Sequence, residues 1–134
     1  MIRTRLASLL LIPIAFVLMG AAVLVDPPPI SVPAGLSLKD VSKAIRSGIV
    51  TRGWVVLKDE KNVIEAVLNI RTHEVHVSLA YDPKQIKIAY LSSTNLDYDE
   101  KNGVRHIHKK YNQWIDNMVQ DIQRQLQVTA IGHE

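Results

Sequence analysis

The sequence predicts an α+β domain: a helix, a four-stranded antiparallel meander and a long C-terminal helix, with both helices packed on one face of the sheet. Three stretches carry this prediction. Residues 38–52 and 107–126 repeat their apolar side chains at three- and four-residue steps, the spacing of an amphipathic helix. Residues 54–90, between them, repeat at every second position. A meander with one apolar face needs a cover, and the two helices supply it while the other face meets water.

The chain opens with Arg3 and Arg5 and no acid, then an apolar run over 6–18 broken only by Ser8 and Pro13, then Gly20-Ala21-Ala22. That order is the pattern of an export signal, with residues 1–22 as the signal peptide and cleavage before Val23. The alternative is an uncleaved membrane anchor reaching to about residue 25, with the arginines left in the cytoplasm. Either way the domain is expected in the periplasm or on the periplasmic face of the inner membrane. Residues 23–36 include four prolines between positions 27 and 33 and predict an extended linker outside the core.

Ser37 followed by Asp40 is a capping-box pattern at the start of the first helix, and Gly53 is placed to end it. Gly48 inside that helix predicts close packing on the sheet. Trp54 to Leu57 begins the first strand, and Asp59-Glu60-Lys61-Asn62 is its turn. Ile64, Ala66, Leu68 and Ile70 alternate with Glu65, Val67 and Asn69 along the second strand. Thr72-His73-Glu74 turns the chain into a third strand with Val75, Val77, Leu79 and Tyr81 facing inward. Asp82-Pro83-Lys84 is a further turn, since proline presets its dihedral, and Ile86, Ile88 and Tyr90 complete the inward set. Residues 91–104 lose periodicity and predict a long connection with at most a short extended piece. The domain proper is expected over 37–128, and residues 129–134 as a flexible tail.

Composition narrows the function classes. The chain of 134 residues has no cysteine, which excludes disulfides, thiol catalysis and thiolate metal sites. Its net charge is +3, but Arg3 and Arg5 belong to the leader, and the other 14 basic residues face 13 acids, a net of +1. Without a clustered basic patch, no nucleic-acid partner is expected. Membrane contact is expected only through an N-terminal segment that stays uncleaved.

His73-Glu74-Val75-His76 fails as a zinc-protease motif, because its histidines are three apart and lie at a hairpin. His106 and His108 would share one side of an extended segment and form the alternative, metal-binding reading, with Asp97, Asp99 or His76 as a third ligand. Residues 97–108 fail as a calcium loop, with the glycine at the seventh position and His108 at the twelfth. Ser92, Ser93 and Thr94 are the nucleophile candidates of a less favoured hydrolase reading, and no Gly-x-Ser-x-Gly elbow accompanies them. No catalytic residue and no cofactor is therefore assigned.

Four of the seven aromatic residues lie between Tyr90 and Trp114. Asn95, Tyr98, His108, Tyr111, Asn112 and Trp114 are the candidate binding residues, lining a groove between the long connection and the start of the second helix. The bland reading of Tyr111 and Trp114 is helix-to-sheet packing with polar tips at the rim. His108 is expected to meet backbone amides at the helix N-terminus.

Tyr90-Leu91-Ser92-Ser93-Thr94-Asn95-Leu96-Asp97-Tyr98 and Ile107-His108-Lys109-Lys110-Tyr111-Asn112-Gln113-Trp114-Ile115 resemble a signature of small secreted proteins and predicted lipoproteins of Gram-negative bacteria, over residues 38–126 or so. The resemblance implies an envelope location and the helix, sheet, helix order. It implies no reaction, because that family has no assigned activity, and Ala21 stands where a lipidated cysteine would be. The function expected is binding of an envelope protein or peptide.

Overall fold

The computed structural model describes residues 20–134. The α+β class holds, with two helices and antiparallel strands among the described residues, but these strands form two sheets. Helix α1 spans Leu38–Val50. The Ser37 hydroxyl accepts from the Asp40 amide at 3.1 Å while the Asp40 carboxylate accepts from the Ser37 amide at 3.0 Å, so both halves of the capping box form. The helix stops two residues before Arg52, and Gly53, at φ 93°, turns the chain toward the sheet.

The meander consists of β3 (Val55–Glu60), β4 (Val63–Ile70), β5 (His73–Tyr81) and β6 (Gln85–Thr94). Lys61 and Asn62 both have positive φ, 53° and 61°, and make a two-residue hairpin; Asp59 and Glu60 are therefore strand residues. The next turn is Arg71-Thr72, so His73 and Glu74 start β5 instead of turning the chain. The Asp82 carboxylate accepts from the Lys84 and Gln85 amides at 2.7 and 2.9 Å, and these bonds hold its pKa below the ordinary carboxylate value. Cross-strand rows such as Ala66, Val77 and Tyr90 place the expected alternation on one face. Ile70 departs from it and is 40% exposed at the end of its strand.

A fifth strand joins this sheet. β2 (Ile30–Ser31) pairs with Ile86 and Gln85, giving the order β2-β6-β5-β4-β3. The proline-rich segment is thus part of the fold: Leu24, Ile30 and Leu36 are buried in the core, because apolar residues between the prolines supply contacts that a solvated spacer would lack. The expected long connection, allowed one short extended piece, carries two strands that join a second sheet of β1 (Ala21–Val23), β8 (Val104–His108) and β7 (Asp99–Lys101). Asn102 and Gly103, at φ 52° and 76°, make the tight turn between β7 and β8.

Ala21, Ala22 and Val23 pair with His108, Ile107 and His106, so the expected cleavage point falls inside β1, while residues 1–19 lie outside the described residues. Helix α2 spans Lys109–Ile131; it starts after Ile107, which is a strand residue, and continues five residues past Leu126 into the expected tail. His133 reaches back to Asp40 at 3.1 Å. Among the described residues no helix is long and apolar enough to cross a membrane.

The core combines Val41, Ile45 and Ile49 of α1 and Ile115, Met118 and Ile122 of α2 with the apolar rows of the sheet. Gly48 lies against α2 and not the sheet: a Cβ there would stand 3.1 Å from the Ile122 backbone. Beside this contact Asp121 is buried, its carboxylate 2.6 Å from the Arg52 guanidinium and 3.3 Å from that of Arg124. The ion pair joins the residues just after α1 to the middle of α2.

Candidate functional site

The predicted aromatic cluster separates into two groups with different work. In the first, Tyr90 of β6 stacks on Tyr98 at 4.7 Å between ring centroids and meets the edge of Tyr111 at 5.6 Å. Tyr111, in the first turn of α2, is 2% exposed, and its hydroxyl has no hydrogen-bond partner among the described residues. Burial raises its pKa well above the ordinary tyrosine value, and the nearby Asp26 carboxylate adds to this. Asp26 accepts from the Tyr90 amide at 3.1 Å and lies 3.5 Å from Arg105, so this group joins the segment after β1 to β6, β8 and α2. Asn112 donates to the Val23 carbonyl at 3.3 Å and holds β1 against the helix. Tyr111 and Asn112 are thus packing and tethering residues, and Tyr98 stacks on Tyr90 with its ring exposed.

The second group surrounds Trp114. His73, at the start of β5, has its ring 6.1 Å from the Trp114 ring and 6.4 Å from that of His108. Its Nδ1 lies 2.6 Å from the Asn95 carbonyl oxygen, and the Asn95 amide donates to the Thr72 hydroxyl at 2.6 Å. Asn95, at φ 60°, therefore fastens the end of β6 to the β4–β5 turn. His108 is the N-cap of α2, its Nδ1 accepting from the Lys110 amide at 3.2 Å, as expected of a neutral imidazole facing backbone donors.

Trp114 is only partly buried and forms a wall shared by two adjoining concavities. One, of about 200 Å³, is lined by Arg52, Trp54, Leu68, Ile70 and Asn117. The other, of about 210 Å³, is lined by Ile70, Arg71, His73, Lys110 and Gln113. Together they make a groove with an apolar floor and a basic lip. Comparison with protein-family models, curated proteins and solved structures finds no match to this chain. The geometry alone thus carries the functional reading.

Of the six predicted site residues, Trp114 lines the groove, His108 and Asn95 support it through His73, and Tyr98, Tyr111 and Asn112 belong to the other group. Sequence reasoning missed Arg52, Trp54, Ile70, Arg71 and His73. It could have found Lys110, Gln113 and Asn117, which share a helical stripe with Trp114 at three- and four-residue steps.

The other candidate chemistries are not assembled. His106 lies 3.4 Å from Asp99, but among the described residues no group of three or more His, Cys, Asp or Glu is placed to hold a metal. Ser92 stands opposite His76 in the β5–β6 register, and His76 is 2.6 Å from Glu74. Among the described residues, however, no hydrogen bond joins Ser92 to that ring. The Ser93 hydroxyl is engaged with Tyr90 at 2.6 Å.

Proposed function

We propose that the chain is an exported envelope domain without chemistry of its own, binding an envelope protein or peptide in the groove beside Trp114. In this reading both helices lie on the apolar face of the five-stranded sheet, and the Trp114 side of α2 is left facing the end of β4 and the start of β5. The export pattern at the N-terminus supports a periplasmic site of action, in solution or at the inner membrane. The observation that carries the binding role is a partly buried tryptophan shared by two concavities. Aromatic side chains so placed offer large, stiff apolar area with a polar tip, as binding hot spots do.

The test is site-specific photocrosslinking from Gln113 in intact cells, with the joined protein identified by mass spectrometry. A single envelope partner, lost with Trp114→Ala at a melting temperature close to the parent's, supports the reading. Trp114→Phe serves as the milder variant if the alanine form unfolds. Capture that is unchanged by Trp114→Phe and by Trp114→Ala in the folded protein overturns the reading.

A further inference from the structure

Resting on that reading, we propose that the occupant of the groove is an acidic peptide segment carrying one apolar side chain. The apolar side chain sits between Trp114 and Ile70, and the carboxylates lie beside Arg71 and Lys110. The shape of the groove is the first argument. The two concavities, of about 200 and about 210 Å³, are open to solvent, and neither is an enclosed cavity. They adjoin through Ile70 and Trp114, and the shape suits an extended segment that seats one side chain and runs on.

Charge is the second argument. Arg71 and Lys110 are exposed on the lip, and neither has a carboxylate partner among the described residues. The nearest committed pair points elsewhere: Asp121 is buried and held by Arg52 and Arg124. The remaining polar lining is Gln113, Asn117 and the His73 imidazole, and among the described residues no acid lines either concavity. A basic segment would place its cations against two uncompensated ones, whereas an acidic segment meets complementary charge. The groove therefore selects by sign at one end and by apolar fit at the other.

The experiment uses the full chain in mild detergent and a set of fluorescent, end-capped octapeptides. Each has a central Leu, Phe or Ser flanked by Glu, Gln or Lys, and binding is read by anisotropy. Glu-flanked Leu or Phe peptides should bind about tenfold or more tighter than Gln-flanked ones, with Lys-flanked ones weakest. The preference should shrink as salt rises from about 50 to about 300 mM. Arg71→Glu combined with Lys110→Glu, both at exposed positions, should reverse the order of Glu and Lys peptides without changing the melting temperature.

Equal binding of Glu- and Gln-flanked peptides, still lost with Trp114→Phe, overturns the acidic assignment and leaves the groove reading standing. Binding indifferent to Trp114→Phe and to the double charge reversal, or no binding by any peptide, overturns the assignment, and the cell crosslinking from Gln113 then decides the reading separately. A third arm compares phosphatidylglycerol with phosphatidylcholine vesicles. Retention by the anionic vesicles alone, abolished by the charge reversal and without any peptide preference, assigns the lip to a membrane surface and also overturns the proposal.

Discussion

Gly48→Ala separates helix propensity from helix packing at one residue. In an isolated helix the change gains about 1 kcal/mol, because alanine loses less backbone freedom on folding. In this fold the added Cβ would stand 3.1 Å from the Cα and N of Ile122 and 3.2 Å from the carbonyl carbon of Asp121. All three are backbone atoms of α2, so no side chain can rotate away, and α1 itself must move out by a few tenths of an ångström. That shift loosens the rows in which Ile45 and Ile49 meet Ile122 and strains the Arg52–Asp121 ion pair beside them. Overpacking by one methyl group typically costs about 1–3 kcal/mol. Set against the propensity gain, the net expectation is a loss of about 1 kcal/mol, seen as a melting point lower by roughly 4 °C. Gly48→Val, with two more methyl groups at the same place, should lose several-fold more. Urea unfolding followed by far-ultraviolet circular dichroism measures both. A Gly48→Ala protein more stable by about 1 kcal/mol, the isolated-helix value, would refute the close approach of the two helices.

Two further predictions concern β1 and the buried Tyr111 of α2. A protein beginning at Val23 loses the pairing of Ala21 and Ala22 and the Gly20 carbonyl that accepts from the Lys109 amide at 2.9 Å; it should melt lower than one beginning at Gly20, and Lys109 should lose its protection from hydrogen exchange. Unchanged protection at Lys109 would contradict a structural role for β1. Tyr111→Phe removes a buried hydroxyl that has no partner among the described residues, so it should leave stability unchanged or raise it by up to about 1 kcal/mol. The same variant should flatten the alkaline limb of the stability profile. The folded state keeps the Tyr111 proton after the unfolded chain, with an ordinary value of 10, has released its own, so stability falls as pH rises above that point. Urea midpoints from pH 8 to about 11.5 test this, and parent and variant profiles of equal slope would contradict the assigned burial.

The parts legible in the sequence are those where side-chain period and burial coincide. Val75, Val77, Leu79 and Tyr81 alternate without interruption, and each is buried, so β5 reads directly. The segment from Leu24 to Leu36 fails that test because its buried residues are separated by six positions each, too far apart for any period, and prolines dominate the composition between them. Asn102-Gly103 is a strong hairpin signal, yet its flanking strands are short, and β7 is wholly exposed, so no alternation announces it. The groove is harder still, since it draws on Arg52 and Trp54 after α1, on Ile70 to His73 at the β4–β5 turn, and on α2, residues brought together by the fold alone. The chain's two tryptophans show the difficulty most directly. Trp54 immediately precedes a strand and Trp114 lies on a helix, and either would read as core; one is 3% exposed and forms the floor, while the other is partly open and forms the wall. What distinguishes them is the neighbour each meets. Trp54 is enclosed by core residues, whereas Trp114 faces His73 and the basic lip, where its ring stays partly open to solvent.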